Sequence, residues 1–374
     1  MICLVAEGVR LKKGIYRSVA VSMLGLLILL ARPTPARAQH GDWLLGTGGA
    51  IAGAQQPPIG ILYQNVWSRY WGSNDGFVQT GSIKCGPRGR LCLSANLNAS
   101  GSLDMFVDQN IFWLVTPFKI PLIDATYGAL VDIPFAIVDA SAAGTLEPVL
   151  TFSDFRSTRS FPLSTRGSSG SSTKGSIGDI YFEPIDLGWH FRHLDLITTG
   201  GFLAPIGPYN SKAKLNIGYG HWTGLLGLGG VFYPDLEHLW SLSIFAHYEM
   251  YASQDGRPYT LGDEVPFEWA AGKAFNLPSD IFKQLTIGAV GYAQWQTTDN
   301  QIDVSPTTPF ESTVIHRLEE AQIRIYATGP AVQLLTKYGL FALRYYEEFG
   351  ANATPSARQL MFSVTLAGNP WGWR

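Results

Sequence analysis

The feature that most restricts this chain is two-residue alternation sustained over segments longer than an ordinary globular strand. In Leu239–Tyr251, one side reads Trp240, Leu242, Ile244, Ala246, Tyr248 and Met250, and the other Ser241, Ser243, Phe245, His247 and Glu249. In Gln284–Gln296, Leu285, Ile287, Ala289, Ala293 and Trp295 oppose Gln284, Thr286, Gly288, Tyr292, Gln294 and Gln296. Near the C-terminus, Leu360, Phe362, Val364 and Leu366 oppose Gln359, Met361, Ser363 and Thr365. Over Glu264–Phe275, Val265, Phe267, Trp269 and Ala271 oppose Glu264, Glu268, Ala270 and Gly272, although Pro266 removes one ladder donor. A period of two is a strand period. The lengths suit the roughly 9–11 residues of a tilted membrane strand better than the usual five or six of a soluble sheet.

Further candidate strands fall at 61–71, 106–118, 124–138, 146–154, 178–190, 194–205, 217–232, 320–331 and 338–349. That makes thirteen, with Phe77–Ile83 an additional possibility. Single-chain barrels usually carry an even number of strands. The expectation is therefore an all-β, transmembrane antiparallel up-and-down β-barrel of 12 or 14 strands. Connections alternate in length: Arg192-His193, Tyr233–Asp235, Asn276–Asp280 and Leu335–Lys337 are short, while 156–177, 206–216, 252–263 and 298–319 are long. The Ser/Gly-rich stretch Ser164–Ser176 suits an outer loop. A secreted β-sandwich also alternates and remains the alternative. Against it, the face opposite the large apolar groups carries Glu249, Glu268, Gln294 and Arg324, which a sandwich core could not hold without partners. Charged residues are only 15% of the chain, below the roughly 25% of a soluble protein, and 41 glycines argue against a helical fold.

The N-terminus reads as a secretory signal over residues 1–38. Arg10, Lys12, Lys13 and Arg17 precede the apolar run Val19–Ala31, and Ala36-Arg37-Ala38 offers a small-x-small cleavage site at Ala36 and Ala38. That run is too short for the ~20 residues of a spanning helix, and no later apolar run is long enough. A closed barrel is then the remaining way to satisfy backbone groups in a bilayer. Residues 39–56 form an N-terminal periplasmic segment or plug, and 57–374 the barrel. Cleavage would remove six basic residues and one acid from a chain of net charge −2, leaving it more acidic and without a footprint for nucleic acid. Cys85 and Cys92, in KCGPRGRLC, suit a small disulfide loop in an oxidising compartment. Zinc is the sharper alternative, but no His or further Cys stands nearby.

From about residue 57 to 367, a series of motifs appears in order. They are Pro57–Tyr63, Gly178–Pro184, Gly188–Phe191, Ala204–Asn210, Asn216–Trp222, Gly291–Asp299 and Thr328-Gly329-Pro330. In this order the chain resembles the meta-pathway phenol-degradation family of outer-membrane transporter-like proteins. The resemblance implies an exported barrel in a Gram-negative outer membrane, no cofactor, and transport of hydrophobic or aromatic compounds. The chain departs from the usual terminal aromatic, since Leu366-Ala367-Gly368 is followed by Asn369–Arg374.

Catalytic chemistry finds little support. Ser243 and His247 would stand about 13–14 Å apart along one strand, and neither a Gly-x-Ser-x-Gly elbow nor a His-Glu-x-x-His motif is present. No catalytic, cofactor or metal residue is assigned. The expected lumen lining is His247, Glu249, Glu268, Tyr292, Gln294, Arg324, Tyr326 and Arg344, with Tyr346 on the same faces. Glu347 and Glu348 are expected at a strand end near the headgroups. The expected role is passive uptake of small hydrophobic or phenol-like aromatic compounds, with outer-membrane lipids and the barrel-assembly machinery as further partners. The competing readings are a structural barrel plugged by Gly41–Pro58 and an outer-membrane lipid hydrolase.

Overall fold

Alternation of this kind can bury one face only if the sheet closes on itself or packs on another. In the computed structural model it closes. The description covers residues 45–46, 54–85, 91–154, 157–162, 166–213, 215–305, 316, 319–320, 322–352, 354 and 356–368. The strands are β1 (Gly60–Cys85), β2 (Leu91–Ile120), β3 (Ala125–Asp154), β4 (Ser157–Pro162), β5 (Arg166–Ile177), β6 (Ile180–His190), β7 (Leu194–Ala204) and β8 (Thr223–Phe232). They continue as β9 (Trp240–Tyr251), β10 (Tyr259–Thr260), β11 (Glu264–Asn276), β12 (Phe282–Gln296), β13 (Gln301–Ile302), β14 (Arg324–Thr336), β15 (Leu340–Asn352) and β16 (Arg358–Gly368).

Each wall strand pairs antiparallel with the next, and β16 returns to β1 from Ile61↔Gly368 to Trp71↔Arg358. The result is a closed 12-stranded barrel. β10 and β13 form a separate two-stranded ribbon. Above the β3–β6 pairing, β5 and β4 continue the wall along the outer half of β3. The odd count of thirteen candidates is resolved here. Residues 124–138 and 146–154 are one strand, because the small residues Ala140–Gly144 stay in the ladder with β2 and no turn interrupts them. Phe77–Ile83 likewise extends β1. The candidate at 217–232 begins only at Thr223, since Tyr219 is held in a loop by its N–H donating to Asp179 Oδ2.

The turns β2–β3, β6–β7, β8–β9, β11–β12 and β14–β15 are short and share the end where β1 begins and β16 stops. In the β8–β9 turn, Asp235 accepts the N–H groups of Leu239 and Trp240, both at 2.8 Å, which holds its carboxyl below the usual carboxylate range. Longer connections gather at the opposite end and are tied together. Asp179 Oδ1 accepts Gly207 N–H at 2.7 Å, Gln254 Nε2 donates to Tyr219 O, and Asn300 Oδ1 accepts from Gly262 N, Tyr259 OH and Gln296 Nε2. The expected signal peptide with Ala36 and Ala38, and the side chains of Cys85 and Cys92, lie outside the described residues.

Candidate functional site: the barrel lumen

Wall alternation decides which side chains enter the lumen. On β9, β11, β12 and β15 the inward positions hold His247, Glu249, Glu268, Tyr292, Gln294 and Arg344, all buried. Outward positions on the same strands hold Leu242, Ile244, Ile287 and Leu343, each about half exposed, as a hydrocarbon-facing belt requires. Two expected lumen residues are corrected. On β14 the inward places belong to Ile325, Ala327 and Ala331, so Arg324 and Tyr326 point outward. Sorting by polarity misread them: Arg324 is a strand-end charge at the rim, and Tyr326 packs in an aromatic cluster with Trp295 and Phe349. Glu347 and Glu348 also part company. Glu347 faces outward against Arg358, whereas Glu348 is buried in the lumen.

The N-terminal segment reaches into this interior at two points. Gly46 adopts φ +90°, a left-handed conformation that glycine tolerates without strain. Its N–H donates to Glu268 Oε1 at 3.0 Å, and its carbonyl accepts from Arg344 Nη1 at 2.5 Å and Tyr346 OH at 3.2 Å. Gln359 Nε2 donates to the neighbouring Leu45 carbonyl. Nearer β1, Gln56 is 2% exposed, and its Nε2 donates to Asp186 Oδ1 at 3.1 Å, while Thr126 Oγ1 donates to Gln56 Oε1. Trp113 Nε1 donates to the other oxygen of Asp186. Gly188 makes room for this, because a Cβ there would overlap Gln56. The Gly41–Pro58 stretch suggested a plug only through its composition. The specific clamps, Gln56, Trp113, Asp186 and Gln359, carry no local sequence signal.

The lumen has two unlike sides. On β1–β3 the inward residues are mainly apolar, with Val66, Leu103, Met105, Val107, Ile111 and Leu130, and one buried acid, Asp132, accepts from Gln109 Nε2 at 2.6 Å. The far side is acidic, with Glu183, Asp186, Glu249, Glu264, Glu268 and Glu348 buried against it. Arg344 is the only buried Lys or Arg among the described residues. Several of these carboxylates are served by tyrosines. Glu348 accepts from Tyr70 OH at 2.7 Å, Tyr292 OH at 2.6 Å and Ala357 N–H at 2.6 Å. Tyr181 OH donates to Glu183 at 2.7 Å, and Tyr251 OH donates to Glu249 and, at 3.3 Å, to Glu264. A buried carboxylate without donors would cost several kcal/mol, so this satisfaction is what lets the acids stay. Among the described residues no group of three or more His, Cys, Asp or Glu is placed to hold a metal ion. His247 and Ser243 occupy the same inward face of β9, two inward positions apart.

Comparison with known proteins places this geometry in context. A family profile described as "Putative MetA-pathway of phenol degradation" matches residues 93–364. No curated protein matches the chain. Among solved structures, the COG4313 outer membrane channel from Pseudomonas putida F1 is similar at TM-score 0.52 and 14% identity, covering 84% of this chain and 98% of that one. A FadL homologue from Pseudomonas aeruginosa aligns at TM-score 0.32 and 8% identity, over 89% of this chain and 96% of that one. BamA from Haemophilus ducreyi aligns at TM-score 0.28 and 10% identity, over 91% and 82%. Only the first bears on the fold, which it supports.

Proposed function

Because the chain belongs to the MetA-pathway phenol-degradation family, we propose that it is an outer-membrane barrel for passive uptake of small hydrophobic or aromatic compounds. It is exported through a signal peptide cleaved after Ala38, folded by the barrel-assembly machinery and bounded by outer-membrane lipids. The observation that carries the reading is the two-sided lumen. Val66, Leu103, Met105, Val107 and Ile111 offer an aromatic ring an apolar surface, while the opposite wall offers hydrogen-bond partners. Such a solute can leave water without giving up all of its polar contacts at once, which lowers the barrier to entering a narrow bore.

A second reading has its own support. Leu45 and Gly46 are hydrogen-bonded to three wall strands inside the barrel, which favours a lumen closed at rest. One set of strains separates the two. Growth and uptake at low concentrations of an aromatic carbon source are compared for cells lacking the protein, cells with the full chain, and cells with residues 41–53 deleted. Heat-modifiable gel migration in the outer-membrane fraction serves as the folding control. Uptake that needs the protein supports the channel. Uptake gained only on deletion favours the closed barrel. Unchanged uptake in every strain overturns the transport reading.

A further inference from the structure

Arg324, which polarity alone would send into the lumen, stands on the lipid side of the wall at the long-loop end. It opens β14, faces Trp295 of β12 across the ladder, and sits one outward position beyond Tyr326. The ladder with β15 shifts register between Arg324 and Tyr326, a bulge of the kind that re-aims side chains at a barrel rim. Below the arginine lies a shelf of rings from four adjacent strands. Phe267 meets Trp295 at 6.5 Å, Trp295 meets Tyr326 at 5.9 Å, and Tyr326 stacks on Phe349 at 5.9 Å. Trp295 Nε1 donates to Tyr326 OH at 3.2 Å, and that hydroxyl donates to no group among the described residues.

Charge sets Arg324 apart from its neighbours. At the same end of the wall, Arg69 donates to Asp104 at 3.1 and 2.7 Å, and Arg358 donates to Glu347 at 3.0 Å. Arg324 is exposed and makes no ion pair among the described residues. The outward acids of this stretch are engaged elsewhere, Glu347 by Arg358 and Asp263 by Tyr248 OH at 2.8 Å. An uncompensated guanidinium therefore stands at headgroup level, directly above exposed aromatic surface. Further down the same wall, Ile287, Val332 and Leu343 continue the apolar belt.

We propose that Arg324 and the Trp295–Tyr326–Phe349 shelf form an outward-facing site for a phosphorylated glycolipid of the outer leaflet. The site is separate from the lumen and does not depend on what passes through it. The guanidinium fork takes two oxygens of a sugar phosphate, and the Tyr326 hydroxyl donates to a further oxygen of the headgroup. The rings pack against the apolar face of the sugar, as amphipathic aromatics do where an apolar region meets a wet one. The acyl chains continue down over Val332 and Leu343. A hydrogen-bonded charge pair of this kind supports about tenfold or more preference for the phosphorylated form.

The test titrates the full-length protein in detergent with diphosphoryl lipid A, with the same glycolipid lacking both phosphates, and with phosphatidylglycerol. Native mass spectrometry counts the bound lipids, and heat-modifiable migration verifies that each variant is folded. The expected result is saturable binding of diphosphoryl lipid A, at least about tenfold tighter than that of the phosphate-free form. Arg324→Gln removes that preference, and Phe349→Leu weakens both glycolipids several-fold. Lys273→Gln leaves both unchanged, because Lys273 lies over Trp240 at the short-turn end. Diphosphoryl lipid A binding unmoved by Arg324→Gln, or lowered equally by Lys273→Gln, overturns the site. Phosphatidylglycerol held as tightly, and with the same dependence on Arg324, overturns the glycolipid assignment.

Discussion

β2 and β9 obey the same alternation but distribute their polar groups differently. On β9 the lumen receives Ser243, His247 and Glu249, and the outer face presents Leu242, Ile244 and Met250. On β2 the lumen receives Leu103, Met105, Val107 and Ile111 together with Gln109, while Asp104, Asp108 and Asn110 share the outward positions with Phe106, Phe112 and Leu114. Those outward polar groups are closed by partners on β1. Arg69 bonds Asp104 through two nitrogens at 3.1 and 2.7 Å, Asn65 donates to Asp108 at 2.6 Å, and Tyr63 donates to Asn110 at 2.7 Å. The sheet fixes the period of the pattern. The surroundings of each wall fix its sign, and a polar group can face outward where its neighbours satisfy it.

The largest expected effect separates the two walls by charge. Arg344 is buried beside Glu268 and carries Gly46, so Arg344→Met leaves an acidic interior without its buried cation and should cost about 3–5 kcal/mol. Arg69→Met removes an exposed pair and should cost less than about 1 kcal/mol. Denaturant unfolding in lipid vesicles measures both, and equal losses would erase the distinction. Next comes charge placed on the outer belt. Leu228→Arg, in the apolar face of β8, should cost about 2–4 kcal/mol. Phe106→Arg, with Asp104 and Asp108 on either side along the same face, should cost less than half of that.

A smaller effect concerns the stitch between the walls. Gln56 joins Thr126 of β3 to Asp186 of β6, and Gly188→Ala would expel it, at a cost of about 1–2 kcal/mol for the hydrogen bonds lost. Faster proteolysis of the N-terminal segment with the barrel still heat-modifiable is the expected sign. The smallest effect is at the short-turn rim. Asp235 has its folded pKa lowered, so its contribution is complete above the usual carboxylate range and is lost as pH falls through the lowered value. Acidification should speed hydrogen exchange at Leu239 and Trp240. It should leave the Asp124 amide, bonded to the backbone carbonyl of Ile120, unaffected through this route.

This difference in polar placement also explains what could be read from the amino acids alone. On β9, β11, β12 and β16, hydrocarbon outside and polar groups inside separate most of the residues, so Glu249, Glu268 and Gln294 could be read onto the buried face from alternation and polarity together. The same rule misplaced Arg324, because a rim charge and a lumen charge look alike in one strand. Pairs such as Tyr70–Glu348, 278 positions apart, were out of reach because no local pattern records them. The continuous run through Ala140–Gly144 was missed for a related reason. Small residues that commonly mark turns are tolerated in a ladder when long neighbours such as β2 hold them in register.

The pairing of β16 with β1 imposes an order of events on assembly. Arg344 and Gln359, which bond Gly46 and Leu45, belong to the last two strands, and β16 is also half of the seam. Once that seam closes, the stretch at Leu45-Gly46 is surrounded by a continuous ring of paired backbone. It must therefore be inside before the final strand zips, or thread in afterwards from an open end. Its later departure is confined to the same axis, so a withdrawal rate should depend on the crowding of the bore and hardly at all on the strength of any one pair of wall strands.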